Sequence, residues 1–154
     1  CKVPDMASPE VTPVTNDEPF LPRETLGYAL KRAQQAMRLH MDRQLQEVGL
    51  NAPQYNVLAS LEAEPGASNA TLARRAFVTP QTMQAMLVKL ETSGLIERRP
   101  DAEHGRIQRT ELTEKGRSVL AEAHQFAQKS ERLAREASPP DAIKMLMRIA
   151  EALA

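Results

Sequence analysis

Residues 79–94, "TPQTMQAMLVKLETSG", spell out both ends of a helix and sort its faces. Thr79 stands where an N-cap hydroxyl accepts a free backbone N–H. Pro80 follows at the first helical position, where it has no N–H to leave unpaired. Gly94 stops the helix in a left-handed turn, which glycine adopts without steric penalty, and Leu95 is placed to fold back on Leu90. At 100° per residue, Met83, Met86, Leu87 and Leu90 share one face. Gln81, Gln84, Ala85 and Val88 share the opposite one, with Thr82 and Lys89 at its edge. Solvated helix faces are normally built from Glu and Lys. This one holds amides, a hydroxyl and small apolar groups.

Apolar spacing sets the elements on either side. Leu26, Leu30, Ala33, Met37, Met41, Leu45 and Val48 recur at three- and four-residue steps and predict a helix over about 24–48, ended by Gly49. Pro53 opens a second helix with Tyr55, Leu58 and Leu61 inward, closed by Pro65 and Gly66. Ser68 or Asn69 caps a short third, with Leu72, Ala73 and Ala76 inward. After Gly94, "LIERRPDAEHGRIQRTEL" reads as strands over 95–99 and 106–112 around a polar turn that holds Pro100 and Gly105. Thr113 restarts a helix with Val119, Leu120, Ala123, Phe126, Ala127 and Leu133 inward, and Ser138, Pro139 and Pro140 break it. A last helix carries Ile143, Leu146, Met147, Ala150 and Leu153 on one side.

The predicted fold class is mainly α with a small β-hairpin wing. A winged helix-turn-helix spans about 52–112, between long helices over about 24–48 and 113–154. The stripes on those terminal helices are too long for so small a domain to cover, which predicts a homodimer. Residues 1–22, proline-rich and acidic, read as a flexible tail, and residues 23–154 as a single domain. Met6 is the expected natural start, leaving residues 1–5 as an addition.

Composition narrows the function classes. Lys+Arg and Asp+Glu number 20 each, so the net charge points to no partner. Over residues 66–117 nine basic side chains face six acidic ones, a local surplus that permits a polyanionic partner. Cys1 is the single cysteine, so neither a disulfide framework nor a zinc cluster is available. No apolar run approaches a membrane span, and residues 1–20 lack the apolar core of a signal peptide. A soluble cytoplasmic protein is therefore expected. His40, His104 and His124 fall on different predicted elements without metal-ligand spacing, and there is no phosphate loop or nucleophile elbow. Neither catalysis nor a cofactor or metal is expected.

The polar face at 79–93 suits double-stranded DNA. Gln pairs with adenine N6/N7, Thr with several base edges, and Ala or Val meets the thymine methyl. The alternative is a neutral face left exposed or covered by a second copy. Arg98, Arg99, Arg106 and Arg109 lie on the hairpin, where an arginine beside the turn reaches a minor groove; Arg106 is that residue. Arg98 and Arg109 have a second reading, as ion pairs with Glu97 or Glu111. Arg74 and Arg75 are placed for phosphates. Ser68 and Asn69 at the start of the third helix, and His104 in the turn, complete the candidate contacts. The rival reading is a helical protein-interaction module that has a winged helix but no sequence-specific DNA binding.

"ATLARRAFVTPQTMQAMLVKLETSGLIERRP", followed by "HGRIQRTELTEKG", resembles the MarR family of bacterial winged-helix regulators, and the likeness runs from about Leu26 to the C-terminus. The resemblance implies a homodimer joined through the terminal helices, a pseudo-palindromic operator, and often repression of a nearby gene. It carries recognition-helix roles to Thr79, Gln81, Thr82, Gln84 and Ala85, and the wing role to Arg106. Where the family commonly has an aspartate two residues before that arginine, this chain has His104, leaving Asp101 or Glu103 as nearby carboxylates. The resemblance also implies release of DNA by a small, often aromatic acid, for which Tyr28, Met37, His40, Met41 and Tyr55 are candidate lining residues. Plain core packing with a hydrogen-bonded His40 is the alternative. With no internal cysteine, thiol sensing is not expected.

Overall fold

Side-chain caps at helix starts and left-handed turns at helix ends delimit the elements of this fold. The computed structural model describes residues 21–101 and 108–154, and the chain divides into two compact units, Cys1–Ala33 and Gln34–Ala154. Within the first, a 3-10 turn at Pro22–Glu24 leads into helix α1, Leu26–Leu45. Thr25 Oγ1 accepts the Tyr28 N–H at 3.1 Å there, and Leu26 and Tyr28 are exposed.

The second unit takes up the rest of α1, which tightens into a 3-10 turn at Gln46–Val48. Gly49, at φ 71°, reverses the chain so that the Leu50 N–H reaches the Leu45 carbonyl at 3.0 Å. Helix α2, Ala52–Ala63, starts one residue before the expected Pro53, because Asn51 and Gln54 form a reciprocal capping box. Helix α3, Asn69–Arg75, is capped by Ser68 rather than Asn69; the Ser68 hydroxyl accepts the Thr71 N–H. Helix α4, Pro80–Thr92, then leads into an antiparallel hairpin, β1 Ile96–Pro100 and β2 Gln108–Leu112. Helices α5, Glu114–Glu136, and α6, Ala142–Leu153, complete the chain.

Leu45, Leu58, Leu61, Leu72, Met83, Leu87, Leu90, Ile96 and Leu120 are fully buried in one apolar cluster. Every element from the end of α1 to the middle of α5 contributes to it, and this holds the short α3 and α4 in fixed relation. Two expectations need correction. The first strand begins at Ile96, one residue later than expected, because Leu95 is spent in the turn that ends α4. The second strand is described from Gln108 to Leu112 as expected, and its expected first residues, 106 and 107, lie outside the described residues. Leu133 is 47% exposed instead of inward, since the core stops supporting α5 beyond Ser130. Helix α6 buries nothing: Ile143, Leu146, Met147 and Leu153 are all exposed.

Candidate nucleic-acid interface

The presentation of α4 follows from its ends and its buried face. Thr79 Oγ1 accepts the Thr82 N–H at 3.2 Å, and Pro80 takes the first helical position. At the other end Gly94, at φ 70°, closes a full Schellman motif. Its own N–H reaches the Glu91 carbonyl at 2.9 Å, and the Leu95 N–H reaches that of Leu90 at 3.0 Å. Met83, Leu87 and Leu90 anchor the inner face in the core. Gln81, Thr82, Gln84, Ala85, Val88 and Lys89 are all exposed on the outer side, as is Thr79 at the cap. Gln81, Gln84 and Lys89 make no side-chain hydrogen bond or ion pair among the described residues. Their donors and acceptors are free for a partner.

The start of α3 lies against the start of α4, where the Asn69 amide donates to the Pro80 carbonyl at 3.2 Å. Between these ends and the hairpin is a cavity of about 390 Å³, lined by Ser68, Asn69, Gln84, Arg98, Gln108 and Thr110 among others. Asn69 Oδ1 and Thr110 Oγ1 are buried with no hydrogen-bond partner among the described residues. Such groups are costly unless water or a ligand meets them.

The hairpin register decides what its arginines do. Glu97 stands opposite Glu111 and Arg99 opposite Arg109, so like charges face each other across the strands. Neither expected pairing of Arg98 or Arg109 with Glu97 or Glu111 forms. Arg98 turns inward with Ile96 and Thr110 and bonds Glu91 of α4 through Nε at 2.9 Å. Strand alternation, which puts residues 96, 98, 110 and 112 on one face, is the signal that would have shown this. Arg109 pairs with Asp101 and donates to the Gly66 carbonyl at 3.3 Å, while Arg99 meets Glu97 at 2.9 Å. Arg75 is held by Glu64; the neighbouring Arg74 is exposed and its guanidinium makes no hydrogen bond or ion pair among the described residues. His104, Gly105 and Arg106 lie outside the described residues.

The candidate effector residues of the second unit fall into two polar clusters. His40 Nδ1 is 3.0 Å from the hydroxyl of the buried Ser130 on α5, with Gln44 one turn away. The Tyr55 hydroxyl is 3.0 Å from His124 Nδ1, and His124 Nε2 is 2.9 Å from Glu62. A neutral imidazole with its proton on Nε2 satisfies both, accepting from the phenol and donating to the carboxylate. Met41 packs against the core, whereas Met37 is exposed. Burial raises the Tyr55 phenol above its ordinary 10.0, and the nearby Glu62 carboxylate adds to the rise. Its contribution to stability is complete below pH 10.0 and disappears as pH climbs through the higher folded value. Thermal midpoints should therefore fall with pH in that range, and Tyr55→Phe should flatten the fall. Equal slopes for both proteins would show that the phenol does not control it.

A profile of the MarR family matches residues 48–107, from the 3-10 turn after α1 to the residue before β2. Over 98 residues the chain is 39% identical to the HTH-type transcriptional repressor Rv2887 of Mycobacterium tuberculosis, an alignment that covers 64% of this chain and 70% of the relative. The chain belongs to the MarR family. It is also 33% identical over 96 residues to the transcriptional regulator HosA of Escherichia coli, covering 62% of this chain and 71% of HosA. Among solved structures, the transcriptional repressor CouR bound to a 23-mer DNA duplex superposes with a TM-score of 0.75 at 32% identity, covering 84% of this chain and 92% of that one. Rv2887 in complex with salicylic acid superposes with a TM-score of 0.63 at 32% identity, covering 84% and 96%. These MarR-family relatives are regulators of transcription and not enzymes. The winged helix-turn-helix expected from the sequence is the fold observed. No helix among the described residues is long and apolar enough to cross a membrane.

Proposed function

We propose that this MarR-family regulator is a cytoplasmic homodimeric repressor that binds a pseudo-palindromic DNA operator and is released by a small aromatic acid. The observation that carries the reading is the outer face of α4. Six groove-facing or edge positions, Gln81, Thr82, Gln84, Ala85, Val88 and Lys89, are exposed, none is acidic, and the two glutamines have no partner among the described residues. Such a face meets base edges through directional hydrogen bonds and methyl contacts. The related repressor CouR has been solved on a DNA duplex, which supports double-stranded DNA as the partner, and α4 is proposed as the element that enters the major groove. Ser68, Asn69 and Arg74 are proposed as backbone contacts from α3, with His104 and Arg106 as the wing's contribution. Arg98 acts in this reading through Glu91, as a brace between hairpin and α4, rather than as a free cation.

The exposed apolar stripe of α6 supports assembly with a second copy, which would set two recognition helices for two half-sites. Residues 23–154 are proposed to act as one domain in that assembly. For release, Rv2887 with salicylic acid supports an aromatic acid as ligand class. Met37, His40, Met41, Tyr55 and Tyr28 are the residues proposed to respond to it. An acid can release DNA only by favouring a conformation that does not fit the groove.

The test of the reading is selection from a randomised duplex pool, followed by titration of the selected and a random duplex with the parent and Gln84→Ala. The selected duplex should lose about 1–3 kcal/mol with Gln84→Ala, at one base position per half-site, while the random duplex is nearly unaffected. If both affinities fall equally, α4 is not reading bases through this face.

A further inference from the structure

Left-handed backbone is used sparingly in this chain, and one position breaks the pattern. Gly49, Gly66 and Gly94 hold three positive-φ sites at 71°, 79° and 70°; the fourth among the described residues is Phe77, at φ 54°. Phe77 is the C′ residue that ends α3. Its N–H reaches the Arg74 carbonyl at 3.3 Å and the Val78 N–H reaches that of Ala73 at 3.1 Å, the same Schellman pairing that Gly94 makes. In that motif the residue after C′ makes the apolar contact, and Val78 does so by packing against the core. The fold therefore asks only for the backbone turn at position 77, which glycine supplies without strain. Among the described residues the phenyl ring is left almost wholly uncovered: it is 96% exposed. A bulky aromatic in strained backbone and nearly full exposure carries two penalties that folding does not require.

Its place suggests a use. Phe77 lies two residues before Thr79, within about 7 Å along the chain of the cap of α4. It follows directly on the last turn of α3, where Arg74 is exposed and its guanidinium has no hydrogen bond or ion pair among the described residues. Gln81, Gln84, Ala85 and Val88 already fill the groove-facing side of α4, so a side chain on the lead-in meets the strand that the helix crosses. That strand alternates phosphate charge with the apolar face of deoxyribose, matching an arginine next to a phenyl ring. We infer that Phe77 is a DNA-backbone anchor, its ring packing on a deoxyribose beside the phosphate reached by Arg74. The inference rests on the proposed DNA-binding function and adds to it a contact that positions α4 without reading sequence.

Two variants test it, with a pool-selected duplex and a random duplex of equal length as probes. Phe77→Gly relieves the backbone and should melt no lower than the parent, while affinity falls about tenfold on both duplexes alike. The chain contains no tryptophan, so Phe77→Trp introduces a unique fluorophore. Its emission should shift on saturation with either duplex and stay constant on dilution of the free protein. Unchanged affinity of Phe77→Gly on both duplexes overturns the inference, as does a loss confined to the selected duplex, which would mean base contact. Emission that changes on dilution and not with DNA assigns the ring to the contact between copies, and also overturns it. A parent that binds neither duplex overturns the function itself; a parent that binds while the Phe77 readouts stay silent overturns this inference alone.

Discussion

Gly116→Ala is expected to destabilise the fold by about 3 kcal/mol, the upper part of the range for overpacking a core. On helix propensity alone the change would be favourable by about 1 kcal/mol, because alanine replaces glycine inside α5. Packing reverses the sign. A methyl group built at Gly116 would lie 1.9 Å from the Leu95 carbonyl oxygen and 2.9 Å from its carbon. The obstacle is backbone, so no side chain can rotate away to relieve it. The same carbonyl accepts the Thr113 N–H at 3.1 Å, which pins the start of α5 to the turn between α4 and the hairpin. Accommodating the methyl would push α5 outward and loosen Leu120 and Ala123, both fully buried. Urea unfolding should show a lower midpoint with an unchanged slope. Gly27→Ala is the control, since nothing lies within 4 Å of its added methyl, and it should cost nothing. Equal stability of the two variants would mean that α5 does not press on Leu95.

Ile143→Asp combined with Leu146→Asp is expected to give a folded monomer whose affinity for the selected duplex drops by about 100-fold or more. Ile143 is 53% and Leu146 41% exposed, and α6 has no buried residue, so carboxylates there leave the described core untouched. Between two copies the same carboxylates would be desolvated without partners, which is strongly unfavourable. Separating the copies removes the link between two half-site contacts, and such linkage typically contributes about 10²–10⁴ in affinity. Sedimentation at micromolar protein with parallel duplex titration reads both effects. Helical content by circular dichroism shows that the variant is folded. A persistent dimer with undiminished affinity would place the interface elsewhere and remove the argument for a two-fold operator.

The sequence by itself determined where the elements lie and which face of each helix is apolar. Thr79, Pro80 and Gly94 bound α4 as expected, because capping is a contact between residues only a few positions apart. The division of α4 into a buried Met83, Leu87 and Leu90 and an exposed Gln81, Gln84 and Ala85 follows from helical periodicity alone. Even the hairpin was legible, to within a residue at its first strand. Tertiary structure decided what depends on partners distant in sequence. Arg98, turned inward opposite Thr110, found Glu91 across an element boundary, and Arg109, set opposite Arg99 by the register, found Asp101 and the Gly66 carbonyl. Tyr55 met His124, 69 positions away, for which no local pattern exists. The strain at Phe77 was hidden because it is a property of φ, and the crowding at Gly116 because it is a distance to a carbonyl in another element. Local rules act through neighbouring dihedrals and can be read along the chain, whereas pairing and crowding arise only once the core has fixed which surfaces meet.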